Sequence, residues 1–516
     1  MKRKITSILL AVIMILSLAP CALAASSGEV ETRMGAVTWS ISGNTLTING
    51  TGEIPDDFST DELDNSARQN VTKLVVGNGI TSIGSGAFEF LSDLETAELA
   101  ASVEAIGDDA FMNLQYLYKV TMPGVVTIGD SAFYRTLLDE DYAPLPETLA
   151  VIGNSAFAET KYSEFTLPAS VSTIGENALG SEQLSRITVA EENPMFSAEN
   201  GILFDKEKTA LICYPAKCRL KEWDRETTPE YEPDTYTIPS TVKRIYGYAL
   251  NDAIYLGKVI MPASVEEIGK YAFNPAVLTE IDTTANDNFT YENGVLYDNP
   301  KTMVYTGLVN SVPEKLVIAD GVKYIERFAF SSCAITELVL PESLETIGRN
   351  AFVDCESLAK VTMYKGVKGI EYGAFSWDNA IAAVQFNGTK GDWNRLEETA
   401  ENGNATLFNA EVTFSDPDGV SESMLISFGY LPAAEVCHLE FYAGTVTDNC
   451  KALIALYDKT KKALLGVREK TLTSESVIEF VDFDEVPEDA SVKAVVYCWN
   501  STGGMEPVWN TPLVSE

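Results

Sequence analysis

A single histidine, eight cysteines and 75 carboxylates are what this sequence offers for chemistry. His438 stands beside Cys437 in an apolar run that reads as a strand. It is the only candidate for a histidine-based triad, and its isolation nearly rules out His-rich zinc sites. No G-x-S-x-G elbow, complete P-loop, H-E-x-x-H or dinucleotide fingerprint accompanies it, so His438 reads as structural. The carboxylates are scattered, and no spacing singles out a glycosidase dyad. The cysteines form no C-x-x-C pair, which leaves zinc and redox motifs without support. Cys213 and Cys218 bracket a short segment and could close a small loop, whereas Cys333 and Cys355 read as small buried hydrophobes. Ser415 to Gly419 (SDPDG) lacks the alternate carboxylates and closing Glu of a calcium loop and reads as a linker. Trp499 and Trp509 would suit a sugar-stacking platform, but such aromatics are more often core. No catalytic residue, cofactor or metal site is assigned.

The chain has 516 residues with 37 Lys+Arg, and its formal charge is −38. That length allows roughly three to four domains or one long repeat array. Its 46% hydrophobic and 22% charged residues are the composition of a globular protein. Such an acidic chain is repelled by nucleic acid and anionic membranes. Residues 1–24 read as a secretory signal: Lys2, Arg3 and Lys4 open it, an apolar run follows from Ile5 to Ala19, and Ala22-Leu23-Ala24 is a small-x-small cleavage site. The apolar run is shorter than the roughly 20 residues of a membrane span. Cleavage would leave seven cysteines, an odd number, and no later segment looks like a membrane insertion or a tether. The expected location is extracellular, either secreted or non-covalently held at the cell surface.

What must carry any function is therefore an architecture. Ala-Phe recurs with its phenylalanine at 88, 111, 133, 157, 273, 330, 352 and 375, and Ala178-Leu179 and Ala249-Leu250 are variants. Successive gaps are 23, 22, 24, 22, 71, 23, 57, 22 and 23 residues. Four residues before each of these alanines lies an isoleucine, usually followed by glycine; Tyr246, Glu326 and Glu371 replace that glycine, so a positive φ is not required there. Upstream of many units an alternating triplet such as Leu117-x-x-Val120-x-Met122 predicts one half-buried strand per period. A fixed period of 20–29 residues signals a solenoid, in which each rung buries its apolar face only against its neighbours.

The pattern L-x-x-V-x-L-P-x-x-V-x-x-I-G-x-x-A-F resembles the BspA-like leucine-rich repeat of bacterial surface proteins. PASVEEIGKYAF (262–273) and PESLETIGRNAF (341–352) fit it closely, and the resemblance spans roughly residues 71–410. It implies surface adhesion and protein binding. The two long gaps hold related islands, near 191–237 and 285–313, each with an Asn-Gly hairpin signal. They are read as hairpins packed on the array rather than as protruding binding loops. Residues 25–70, with a hairpin turning at Gly43-Asn44, resemble the family's N-terminal cap; Phe386 to Trp393 resemble its closing cap.

The expected fold is thus a β-rich solenoid of 22–24-residue leucine-rich repeats over 71–412, with caps and β-hairpin islands. A linker at 413–430 and a C-terminal β-sandwich at 431–516 follow it, the latter from strand-like runs at 8–12-residue spacing. In each repeat strand the residues flanking the central apolar position point outward. One outward column reads Lys73, Thr96, Lys119, Glu164, Arg186, Lys258, Glu337, Lys360 and Ala383. Its basic members (Lys73, Lys119, Arg186, Lys258 and Lys360) are the candidate partner-binding residues, set in an otherwise acidic body. The competing explanation is that Lys and Thr merely keep an exposed sheet soluble. The expected function is non-enzymatic protein–protein interaction or adhesion to a protein or glycan on a host or neighbouring cell. The alternative is a glycan-binding accessory protein acting through the C-terminal domain.

Overall fold

The structure, a computed structural model, describes residues 27–32, 35–220, 233–273, 278–376 and 380–415, then seven strands between 424 and 514. The signal segment 1–24, the 221–232 part of the first island, Asp416 to Gly419 and Trp509 lie outside the described residues. The chain forms two compact units, Met1–Val277 and Leu278–Glu516.

In the first unit the repeat builds two parallel ladders. The predicted triplet gives the longer strands: Thr45–Gly50, Lys73–Val76, Thr96–Leu99 and Lys119–Thr121 lie side by side in register. The isoleucine of Ile-Gly, not foreseen as a strand, closes a second ladder of two-residue strands: Ala105–Ile106, Thr127–Ile128, Val151–Ile152 and Thr173–Ile174. A complete rung therefore has two strands. All ten Phe or Leu positions of the repeat are buried. Their rings stack from rung to rung, with centroids 5.2 Å apart for Phe88–Phe111, 5.3 Å for Phe111–Phe133 and 5.5 Å for Phe133–Phe157. The second unit repeats the device at Phe330–Phe352 and Phe352–Phe375, 5.1 and 5.2 Å apart.

The repeat glycine has a negative φ, as its replacement by Tyr246, Glu326 and Glu371 implied. It is small because consecutive rungs touch there. A Cβ on Gly153 would stand 2.5 Å from both the Gly129 carbonyl carbon and the Asp130 nitrogen. Tyr246 and Glu326 escape this crowding because their preceding neighbour is an island strand: Tyr246 N–H donates to Leu211 O and Glu326 N–H to Val304 O.

The islands are hairpins that extend the short-strand ladder. Phe196–Glu199 pairs antiparallel with Ile202–Asp205, which pairs with Ala210–Cys213, and that strand lies parallel to Arg244–Ile245. In the second unit Phe289–Glu292, Val295–Asp298 and Met303–Gly307 repeat the arrangement and lead to Tyr324–Ile325. Each island aspartate, Asp205 or Asp298, accepts from the threonine hydroxyl four residues on and from the backbone N–H five residues on, which locks the second turn.

Towards the N-terminus, Gly35–Ser42 and Thr45–Gly50 form the expected hairpin around Gly43-Asn44. The segment does more than cover a rung. Gly52–Ile54 pairs with Ile80–Ile83, and the Phe58 ring meets Phe88 at 6.0 Å, so residues 45–58 make a degenerate rung of their own. Towards the other end, the helix Lys390–Thr399 buries Trp393 against Phe386 and Phe408. The ladder does not stop at Trp393, because Glu411–Phe414 adds one more parallel strand to Ala383–Asn387. That strand and Met424–Leu431 overlap both ends of the span expected as linker, 413–430, leaving 415–423 between them. The apolar run Met424-Leu425-Ile426 favours pairing over a free linker. The C-terminal strands then form two antiparallel sheets, one of three strands and one of four.

Candidate functional site

The parallel register decides which side chains share a surface. In the first unit Lys73, Thr96 and Lys119 are consecutive partners on adjacent strands, with Val75, Glu98 and Thr121 alongside. Strands about 4.8 Å apart put the two lysines roughly 10 Å from one another. Arg186 pairs with Glu164 in a separate two-stranded ladder, and Lys258 pairs with Thr235 in another. In the second unit Lys315, Glu337, Lys360, Ala383 and Glu411 form one continuous column. The column foreseen from the sequence is thus real within each ladder but divided between ladders. Lys315 was missed because the island before it hides the repeat spacing, although Lys315-Leu316-Val317 shows the same alternation.

Carboxylates neutralise part of the column. Lys73 Nζ lies 2.7 Å from Glu98 Oε1 on the next strand. Glu337 Oε1 is shared by Lys315 at 3.0 Å and Lys360 at 3.4 Å, and the Lys315 bond leads in holding its carboxyl below the usual range. These pairs are exposed, so each contributes little stability. Lys119 is exposed at the end of its ladder. Arg186 is exposed too, but the base of its side chain lies against the first island. A Cβ on Gly201 would stand 3.3 Å from Arg186 Cγ, and Gly201 O accepts from Ile187 N–H at 2.9 Å.

Among the candidates for chemistry, Cys213, Cys218, Cys333 and Cys355 are all free, so no bond closes the Cys213–Cys218 loop. Cys333 and Cys355 are buried, as expected of small hydrophobes, and Cys355 Sγ lies 3.1 Å from Phe330 O. Burial pushes the Cys355 and Cys213 thiols up to about 12, which keeps them protonated and unreactive near neutral pH. Asp252 is exposed as a residue, yet desolvation of its carboxyl raises it to about 6, with repulsion from Glu182 and Glu159 adding to the effect. Glu159 offers it no free partner, since Tyr134 Oη and Arg135 Nε each hold that carboxylate at 2.7 Å. Among the described residues no group of three His, Cys, Asp or Glu could hold a metal ion. His438 lies on Val436–Tyr442, its backbone opposite Gly429 and Asp482. Among the described residues no helix is long and apolar enough to cross a membrane.

Two ladders per rung, a stacked phenylalanine column and a glycine forced small by the rung before it are a repeat geometry. Six copies of the BspA type leucine-rich repeat region match residues 66–185, 232–302 and 309–395. The chain belongs to the BspA-type leucine-rich repeat family. A search of curated proteins finds no match. Among solved structures, a leucine-rich repeat protein from Eubacterium ventriosum is 24% identical, with 70% of this chain and 94% of that chain covered and a TM-score of 0.44. A leucine rich cell surface protein from Faecalibacterium prausnitzii is 22% identical, covering 72% and 98%, with a TM-score of 0.39. The pneumococcal vaccine antigen PcpA is 19% identical, covering 76% and 100%, with a TM-score of 0.35. The BspA-type repeat explains why the outward column lines up: equal repeats joined by parallel pairing keep equivalent side chains adjacent.

Proposed function

We propose that this BspA-type repeat chain is an exported, non-enzymatic surface protein that binds a partner through the outward face of its longer-strand ladders. The observation that carries the reading is the in-register outward column, with Lys73 and Lys119 on one ladder and Lys315 and Lys360 on another. Family membership supports a binding role, and burial holds the Cys213 and Cys355 thiols protonated at neutral pH. The partner fitting this face is a protein on a host or neighbouring cell that presents acidic patches to the basic column. On this reading residues 1–24 direct export, the Gly35–Gly50 hairpin and the Lys390–Thr399 helix act as caps, and the C-terminal sheets face one another as a sandwich. Burial of Ile454, Ala455 and Leu456 in succession supports a covering layer, because neighbouring side chains on a strand point to opposite faces.

Reversing Lys119, Arg186, Lys258 and Lys360 together to Glu tests the face. Retention of labelled cell-surface protein by the immobilised mature chain should drop to background while the circular dichroism spectrum stays unchanged. Undiminished retention would discard the basic column as the binding surface.

A further inference from the structure

The longer-strand ladder of the first unit is interrupted, and the interruption makes a groove that the repeat alone would not create. Lys119–Thr121 ends one sheet and Glu164–Leu167 begins the next. The rung between them, carrying Phe157, has no strand on this side. Residues 137–147 fill the place irregularly: Leu137 N–H donates to Leu117 O at 2.8 Å, Val120 N–H to Tyr142 O at 3.3 Å, and Lys161 N–H to Leu138 O at 2.9 Å. Leu138 and Ala143 are fully buried and keep the core closed. Tyr142 is turned outward beside Tyr118.

The result is an open groove of about 670 Å³ with Lys119, Thr121, Asp141, Tyr142 and Glu147 among its lining. That volume lies within the range of small-molecule sites, about 300–1,000 Å³. Ten large apolar or aromatic side chains are exposed among the described residues, and four of them, Tyr116, Tyr118, Leu137 and Tyr142, fall in this one segment. Of these, Tyr118 and Tyr142 touch, and contiguous exposed apolar surface marks a contact site where isolated residues do not. Tyr142 lines the groove, and the neighbouring Tyr118 ring braces it edge to face, with centroids 5.8 Å apart and planes at 85°.

We propose that this groove is a binding site for a neutral oligosaccharide. The weakly positive C–H face of a pyranose packs on the negative face of an aromatic ring. Asp141 and Glu147 accept from sugar hydroxyls, while Lys119 and Thr121 donate to them. The carboxylates on the rim, in a chain of net charge −38, disfavour an anionic glycan. An added peptide strand fits less well. Val120 N–H, a ladder donor on the open edge, is already taken by Tyr142 O, and Pro144 and Pro146 on the opposite wall have no N–H to offer. Lys119 belongs to both the groove and the basic column, but removing either ring leaves all five cations in place, so the ring substitutions test the groove apart from the column.

The test is isothermal titration of the mature full chain with maltohexaose, cellohexaose, N-acetylchitohexaose and mannohexaose, with heparin as the anionic control. At least one neutral hexasaccharide should bind, Tyr118→Ala and Tyr142→Ala should each weaken that binding about tenfold or more, and any heparin bound by the basic column should be unaffected by them. Asp141→Asn, which spares both rings, should weaken it less. Both rings are exposed, so melting midpoints of the variants should match the parent. Absence of binding to all four sugars would overturn the proposal. So would neutral-sugar binding that survives both tyrosine substitutions, or heparin binding that the same substitutions weaken as strongly. A protein partner lost on the same substitutions, with no sugar bound, would assign the groove to protein and also overturn it.

Discussion

Phe133 shows what one residue does in this repeat. It is fully buried between Phe111 and Phe157, with rings 5.3 and 5.5 Å away, and the next rung, that of Phe157, lacks its longer strand. Phe133→Ala should cost about 3–5 kcal/mol in chemical denaturation, because the stacked neighbours hold their places and a cavity remains. A loss below about 1 kcal/mol would remove Phe133 from the core column. The column itself was legible, since a buried aromatic every 22–24 residues is a one-dimensional pattern. The reason for the glycine beside it was not. The contact that forbids a Cβ on Gly153 comes from Gly129 and Asp130, and only stacking brings those atoms within 2.5 Å.

At the scale of elements, the helix Lys390–Thr399 rests on a buried capping box. Thr389 Oγ1 accepts from Asp392 N–H at 3.0 Å, and Asp392 Oδ2 accepts from Thr389 N–H at 3.1 Å. Thr389→Ala should lower stability by about 1–2 kcal/mol, measured by thermal or urea unfolding, and Thr389→Ser should restore most of it. Equal stability of the Ala and Ser variants would show that the cap does not hold the helix. The sequence signalled the longer strands through their period of two, and the island hairpins through Asn-Gly. Two-residue strands such as Thr127–Ile128 are too short to display a period, so the second ladder became visible only through its pairing partners. The interrupted rung was equally hidden: its Phe133-to-Phe157 gap of 24 residues matches the other repeats, and the loss of a strand lies in Pro144 and Pro146 rather than in length.

Over the whole molecule, the dominant feature of the composition is its charge. A net charge of −38 repels itself, and the exposed ion pairs of the ladders offset little of it. Raising salt from about 0.01 M to about 0.1 M shortens the screening length from about 30 Å to about 10 Å. The melting midpoint of the mature chain should therefore rise with salt; a falling midpoint would mean that ion pairs outweigh the repulsion. By itself the sequence determined the repeat, its core residues and its family, because solenoid packing depends on nearest neighbours and the period states those contacts. It also predicted which side chains face outward, since alternation along a strand is local. Tertiary structure alone decided where the outward column is continuous, which lysines are shared with carboxylates, and where a rung opens into a tyrosine-lined groove. Those features depend on the register between strands more than twenty residues apart, and local spacing carries no record of that register.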